Sequence, residues 1–326
     1  VRNPPPLPAN PRLLLIRGGA LGDFLLTLPA LACLRARWPG MYLELLGYPR
    51  LAALAIEAGW VDAVRSLDAP ATARLFVPGA LDPAWAEYLS RFDAIVSVLR
   101  DADGILERNL AASGARVVLG ESRVPGDRHA TEIFAGFLSA FGLEPKPADL
   151  IPRLRLPGLP APEPGRIAFH PGSGSRTKTL PADHALELSR RLLRMAQALD
   201  IILGPAERES AAPYRSLAAG EPRVRLLQDL PLPDLARGLG RAAAFIGHDS
   251  GVSHLAAALG RPGVYLFGNS SPLAWAPRGD APVRIIYRDR RWQPGDPVAD
   301  PRPDAMARVD LDLVLAEARA LMSPFW

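Results

Sequence analysis

The chain of 326 residues contains one cysteine, Cys33. A single thiol closes no internal disulfide and supplies no cysteine zinc site, so a disulfide-stapled scaffold and a zinc ribbon are both excluded. A reducing, cytoplasmic setting is expected. Lysine is nearly as scarce: Lys146 and Lys178 are the two present, and arginine carries the rest of the positive charge. The five histidines, His129 and His184 among them, show no zinc-ligand spacing, so no metal site is expected. No run of eighteen apolar residues occurs, which argues against a spanning helix. The first eleven residues are Pro-rich without an apolar secretory core, so no export signal is expected.

Charge of one sign is lacking too. Against 38 basic residues stand 34 acidic ones, and the net +4 is too small and too evenly spread for a nucleic-acid binder. Hydrophobic residues at 48% and charged residues at 22% fit a globular protein with apolar cores rather than a disordered one. The length is about twice that of a common domain, so two domains are expected.

From residue 12 onward, short apolar runs alternate with longer helical patterns. Residues 12–16, 41–46, 61–67, 94–99 and 116–119 read as strands. Helices are expected from the 18–22 loop to about 38, over 51–58, over 83–91 and over 131–141, with Gly142 as a C-cap. Seven prolines then fall within residues 145–164, and because proline fixes φ and removes a donor the stretch reads as a linker. Strands resume over 166–170, 200–203, 224–227, 243–246 and 263–267. Asp304 is placed to cap a last helix over 305–322, with Val309, Leu313, Ala316 and Ala320 on one face and Pro324 ending it. Alternation of this kind predicts two doubly wound α/β parallel-sheet domains facing across a cleft between the carboxyl ends of their strands. The expected divisions are 1–150, a linker at 151–165, 166–303, and a terminal helix at 304–326.

Three loops carry chemistry, each directly after a strand. Arg17-Gly18-Gly19-Ala20-Leu21-Gly22-Asp23 fails the GxGxxG pattern because its first glycine position holds Arg17. Asp23 there is either a helix-capping residue or a carboxylate free to accept a proton. His170-Pro171-Gly172-Ser173-Gly174-Ser175-Arg176-Thr177-Lys178 misses the P-loop pattern by one position, at Thr177. Its small residues expose backbone N–H groups and Lys178 adds a point charge, which suits a diphosphate better than a plain flexible loop does. In Gly247-His248-Asp249-Ser250-Gly251-Val252-Ser253-His254, Asp249 and Ser250 are good caps for a helix whose N-terminus favours anions. His254 on its first turn is as consistent with packing as with binding. Asp101-Ala102-Asp103 has the spacing of metal-bound sugar-nucleotide sites but reads as a solvated loop beside Gly104. Asp310-Leu311-Asp312 reads as helix surface.

Residues 17–29 (RGGALGDFLLTLP), 170–181 (HPGSGSRTKTLP) and 245–268 (FIGHDSGVSHLAAALGRPGVYLFG), followed by Trp275-Ala276-Pro277, together resemble glycosyltransferase family nine, the lipopolysaccharide heptosyltransferases and their relatives. Arg128-His129 with Glu132 is similar to the same family. The resemblance implies a GT-B fold, with an N-terminal acceptor-binding Rossmann-like domain, a C-terminal nucleotide-sugar domain, and a last helix packing back towards the first domain. It makes Asp23 the catalytic base. It gives Ser173, Gly174 and Lys178 to the donor phosphates, and Asp249, Ser250, Gly251 and His254 to the diphosphate pocket. It also implies an acidic ribose ligand, Glu209 with Glu207 as alternative, and places Leu230 against the adenine. Arg100 and Arg128 are candidate acceptor contacts. The implied reaction is inverting transfer of a sugar, heptose from ADP-heptose in the best-known members, to a lipopolysaccharide-core or related glycan, with no cofactor. A membrane-rooted acceptor implies peripheral contact with the inner membrane. On residues alone, a sugar-nucleotide epimerase, a non-catalytic nucleotide-sugar binder and a P-loop phosphotransferase remain alternatives.

Overall fold

The computed structural model describes residues 6–79, 81–299 and 301–322, in two compact units. The first comprises Val1–Pro125 and Ala130–Leu150, and the second Gly126–His129 and Ile151–Trp326. The two units meet at Leu150 and Ile151, with Gly126–His129 grouped in the second. His129 ties that segment to the second unit: its Nε2–H donates to the Ala276 carbonyl at 2.8 Å.

Five parallel strands build the first unit: β1 (Arg12–Ile16), β2 (Tyr42–Gly47), β3 (Ala63–Ser66), β4 (Ala94–Ser97) and β5 (Arg116–Leu119), in the order β3-β2-β1-β4-β5. In β1, Leu13, Leu14, Leu15 and Ile16 are all buried, as a central parallel strand covered on both faces requires. The helices are α1 (Leu21–Leu25), α2 (Leu28–Arg37), α3 (Pro49–Glu57), α4 (Pro83–Leu89), α5 (Ile105–Ala111) and α6 (Ala130–Phe134). The expected single helix up to residue 38 is two helices. Pro29 has no N–H to bond back into the preceding turn and its ring crowds that turn's carbonyl, so α2 starts afresh with Pro29 in its first turn. The expected helix over 131–141 likewise becomes α6 followed by a 3-10 turn, Gly136–Phe141, which Gly142 caps at φ +69°.

The second unit contains β6 (Glu163–His170), β7 (Ala198–Leu203), β8 (Val224–Gln228), β9 (Ala242–His248), β10 (Gly263–Phe267), β11 (Val283–Tyr287) and β12 (Arg290–Trp292). Their order is β12-β11-β10-β9-β6-β7-β8, with β12 antiparallel to β11 and the rest parallel. Its helices are α7 (Ala182–Met195), α8 (Ala212–Gly220), α9 (Leu232–Gly240), α10 (Gly251–Ala258), α11 (Pro272–Trp275) and α12 (Leu311–Met322). Every residue of β9 is buried, and α10 beside it buries Leu255, Ala256, Ala257 and Ala258.

Two expectations are corrected in this unit. The Pro-rich 151–165 stretch is not a free linker: Leu154 and Leu156 are buried, and the Leu154 N–H donates to the Ala258 carbonyl at 2.8 Å. Its end even enters the sheet, because Pro164 sits at a register shift between Glu163 and Ile167, where a missing N–H costs no ladder bond. The terminal helix, expected over 305–322 and directed at the first domain, begins at Leu311 and packs on β9, β10, β11 and α7 of its own unit. Its buried face is Val314, Leu315, Ala318 and Leu321; Ala316 and Ala320 of the expected face are exposed. Pro324 lies outside the described residues. Among the described residues no helix is long and apolar enough to cross a membrane.

Candidate functional site

In each sheet the chain order reverses between two neighbouring strands, β1 and β4 in the first, β6 and β9 in the second. Loops leaving the carboxyl ends of such a pair form the usual ligand crevice of an open α/β sheet. The three loops singled out in the sequence leave β1, β6 and β9.

In the first unit, Gly19 turns the chain at φ +93°, a conformation L side chains resist, and a Cβ there would stand 2.7 Å from Asp23 Oδ2. Asp23 lies in the first turn of α1, where its Oδ2 accepts the Ala20 N–H at 2.9 Å. The capping reading is thus realised, yet the side chain keeps 28% exposure. Beneath it Arg17 is buried. Its Nη2 donates to the Asp23 carbonyl at 3.2 Å, its Nε to Thr27 Oγ1 at 3.1 Å and its Nη1 to the Val98 carbonyl at 3.3 Å. The guanidinium lies 4.3 Å from the centre of the Phe134 ring and 3.8 Å from Asp23 Oδ1. A carboxylate so held, part-exposed and backed by a buried guanidinium, presents an oxygen that can accept a proton. Arg100 and Arg128 are both exposed, and Arg128 belongs to the second unit.

In the second unit the two loops are bonded to one another. Lys178 Nζ donates to Asp249 Oδ2 at 2.7 Å, and Ser173 Oγ donates to the Asp249 carbonyl at 2.7 Å. Asp249 is buried while Lys178 is 34% exposed, so the ammonium is fixed on one side and reachable on the other. Ser250 caps α10, its Oγ accepting the Ser253 N–H, and Gly251 opens the helix. His254 is buried in the first turn. Gly174 is exposed, with open space where a Cβ would go. His248 Nε2 accepts the Leu180 N–H at 3.1 Å, and burial pushes the ring down to about 3, so it is neutral. The same burial, helped by Arg278, holds His129 at about 3.

The two glutamates separate cleanly. Glu209 is 87% exposed and pairs with Arg176 at 3.0 Å. Glu207 is buried, accepts the Gly204 N–H at 2.7 Å and approaches His170 Nε2 at 3.7 Å. Both border a cavity of about 590 Å³ that also meets Ser173, Thr177, Tyr214 and Met306. Lys178, Asp249, Ser250, Gly251 and His254 lie outside that lining, as does half-buried Leu230 in the turn between β8 and α9. Burial, then the Glu207 charge, pushes the Tyr214 hydroxyl up to about 12. Asp101 and Asp103, the metal-spaced pair, spend their carboxylates on the N–H groups of Ile105, Leu106 and Glu107 at the start of α5. No group of three or more His, Cys, Asp or Glu side chains is placed to hold a metal among the described residues.

Sequence reading passed over Arg17, His170 and His248. Each stands inside a segment that had been singled out, but each acts through partners remote in sequence, such as Val98, Phe134 and Glu207.

The fold is of the GT-B class. It superposes on the structure of E. coli ADP-heptose lps heptosyltransferase II with a TM-score of 0.74 at 18% identity, covering 96% of this chain and 99% of that one. E. coli heptosyltransferase WaaC with ADP gives 0.69 at 20% identity, over 95% and 99% of the two chains. Within that class, residues 146–294 match the family model Glycosyltransferase family 9 (heptosyltransferase). Lipopolysaccharide heptosyltransferase 1 of Pseudomonas aeruginosa is 36% identical over 107 residues, 32% of this chain; the match spans 29% of that relative's length.

Proposed function

We propose that the chain is an inverting glycosyltransferase that moves a sugar, heptose in the first instance, from an ADP-sugar to a lipopolysaccharide-core or related glycan acceptor. The observation that carries this reading is the Lys178–Asp249–Ser173 cluster beside the capped start of α10, inside the stretch that matches family 9. The leaving nucleoside diphosphate gains negative charge as its bond to the sugar breaks. Lys178 and the N-terminus of α10, with Ser173, Gly174, Asp249, Ser250, Gly251 and His254 shaping the cradle, stabilise that charge. Asp23 takes the proton of the acceptor hydroxyl as that oxygen attacks the face opposite the leaving group, so the anomeric centre inverts in one step. The chemistry calls on no cofactor and no metal.

Glu209 is the proposed ribose ligand and Leu230 the proposed adenine contact. Arg100 and Arg128 are assigned to the acceptor. The proposed location is cytoplasmic, at the inner face of the membrane when the acceptor is lipid-anchored.

A solved relative named as bound to ADP supports the choice of base. Calorimetric titration with ADP and with UDP tests it: ADP binds at least about tenfold tighter, a difference of about 1.4 kcal/mol. Equal or reversed affinities contradict the adenine assignment. Conversion of an ADP-sugar with no acceptor present would instead mark an epimerase.

A further inference from the structure

Under the β6–α7 loop lies a line of buried polar side chains, two of which, His170 and Glu207, have no part in the proposed reaction. His170 is 4% exposed, Glu207 6% and Ser250 9%. Glu207 Oε2 holds the Gly204 N–H at the end of β7 and faces His170 Nε2 at the end of β6. The other ring nitrogen, Nδ1, is 3.2 Å from Ser250 Oγ, the oxygen that caps α10. His170 thus stands between the Glu207 carboxylate and Ser250, sharing a hydrogen bond with the Ser250 hydroxyl through Nδ1. The same Ser250 Oγ accepts the Ser253 N–H at 3.3 Å. Burial alone would raise the Glu207 carboxyl, but His170 and the Gly204 N–H outweigh it and hold it below the usual carboxylate range. Gly172 completes the arrangement: a Cβ there would overlap Glu207 Oε1, so the loop turns directly on the carboxylate.

We propose that Glu207 and His170 are positioning residues for the diphosphate cradle. They fix the Ser250 cap and the Gly172 turn, and so hold the N–H groups of the first turn of α10 and of the β6–α7 loop where a diphosphate needs them. The inference rests on the donor-site reading above and assigns Glu207 a role distinct from ribose binding.

The test titrates ADP and inorganic pyrophosphate separately into wild-type protein, Glu207→Gln, His170→Asn and the double variant, with thermal melts confirming that each folds. Each single variant loses about tenfold in affinity for both ligands, and the double variant loses no more than about twofold beyond the worse single one, because one chain is broken once. Ser250→Ala gives the same equal loss and serves where either other variant does not fold. In the transfer assay the donor KM rises by that factor while kcat holds within about twofold, a split that general loosening of the unit would not give. Loss of ADP binding with pyrophosphate binding unchanged would make Glu207 a ribose ligand and overturn the proposal. Additive losses in the double variant overturn it as well. Wild-type protein that binds neither ligand removes the donor site itself, a different failure that takes the proposal with it.

Discussion

At residue 23 one carboxylate oxygen is committed to a backbone N–H and the other lies within 4 Å of a buried guanidinium. Both partners, Ala20 and Arg17, belong to the first unit, whereas the proposed donor cradle is built from residues of the second, so the proposed base and cradle can be tested by separate mutations. Asp23→Ala is expected to leave ADP affinity within about twofold and to lower transfer at least about 100-fold, the ordinary contribution of a general base. Calorimetry beside a radiolabel transfer assay checks this, and near-normal turnover would place the base elsewhere. Asp23, Lys178, Asp249 and Ser250 could be picked out in the sequence as candidates because each comes shortly after a strand amid small residues, at the end of the sheet where open α/β folds present groups to a ligand. Arg17 was not legible. In a chain whose positive charge is almost all arginine, surface exposure is the default reading, and the burial of Arg17 depends on Val98 and Phe134, far away in sequence. The choice between Glu207 and Glu209 was equally out of reach, since a single residue of a 3-10 turn, Arg208, separates a buried carboxylate from an exposed one.

Elements were read best where one apolar run decides them. Strands β1, β5 and β10 have the expected ends, because short apolar runs bounded by polar or glycine residues leave little choice. The terminal helix shows the opposite case. Asp304 looked like its cap, yet α12 starts at Leu311 and Asp310 Oδ1 accepts the N–H groups of Asp312 at 2.9 Å and Leu313 at 3.2 Å. The reading failed because 304–309, which buries Ala305, Met306 and Val309, continues the apolar pattern while forming turns. Asp310→Ala is therefore expected to cost about 1 kcal/mol, as loss of an N-cap does, and to lower the melting temperature by a few degrees. Asp304→Ala, which gives up an exposed pair with Arg308, should leave the melting temperature unchanged. A larger effect at 304 than at 310 would return the helix start to its expected place.

For the molecule as a whole, two buried neutral histidines govern behaviour in acid. His129 and His248 both have folded-state values near 3, against an ordinary 6.5. Between those limits the unfolded chain binds protons that the folded chain refuses, so stability falls as pH falls. It is fully present above about 6.5 and declines by about 1 kcal/mol per pH unit for each histidine. Urea unfolding at pH 7, 6 and 5 reads this slope, and His248→Gln should remove about half of it. A flat profile over that range would contradict the assignment of neutral, buried rings.

The division into two parallel α/β units was also legible, because the alternation of strand and helix restarts after a proline-rich stretch. That this stretch packs on the second unit was not, since its anchor, the Leu154 bond to Ala258, spans about a hundred residues. The account stands or falls on the proposed diphosphate cradle, where Lys178 of the β6–α7 loop bonds to Asp249 ahead of α10. Calorimetric titration of ADP into wild-type protein and into Lys178→Met tests it most directly. Removing a charge-assisted contact worth about 1.5–3 kcal/mol should weaken ADP by about ten- to a hundredfold while the variant still folds. Equal ADP affinity in the two proteins would contradict it.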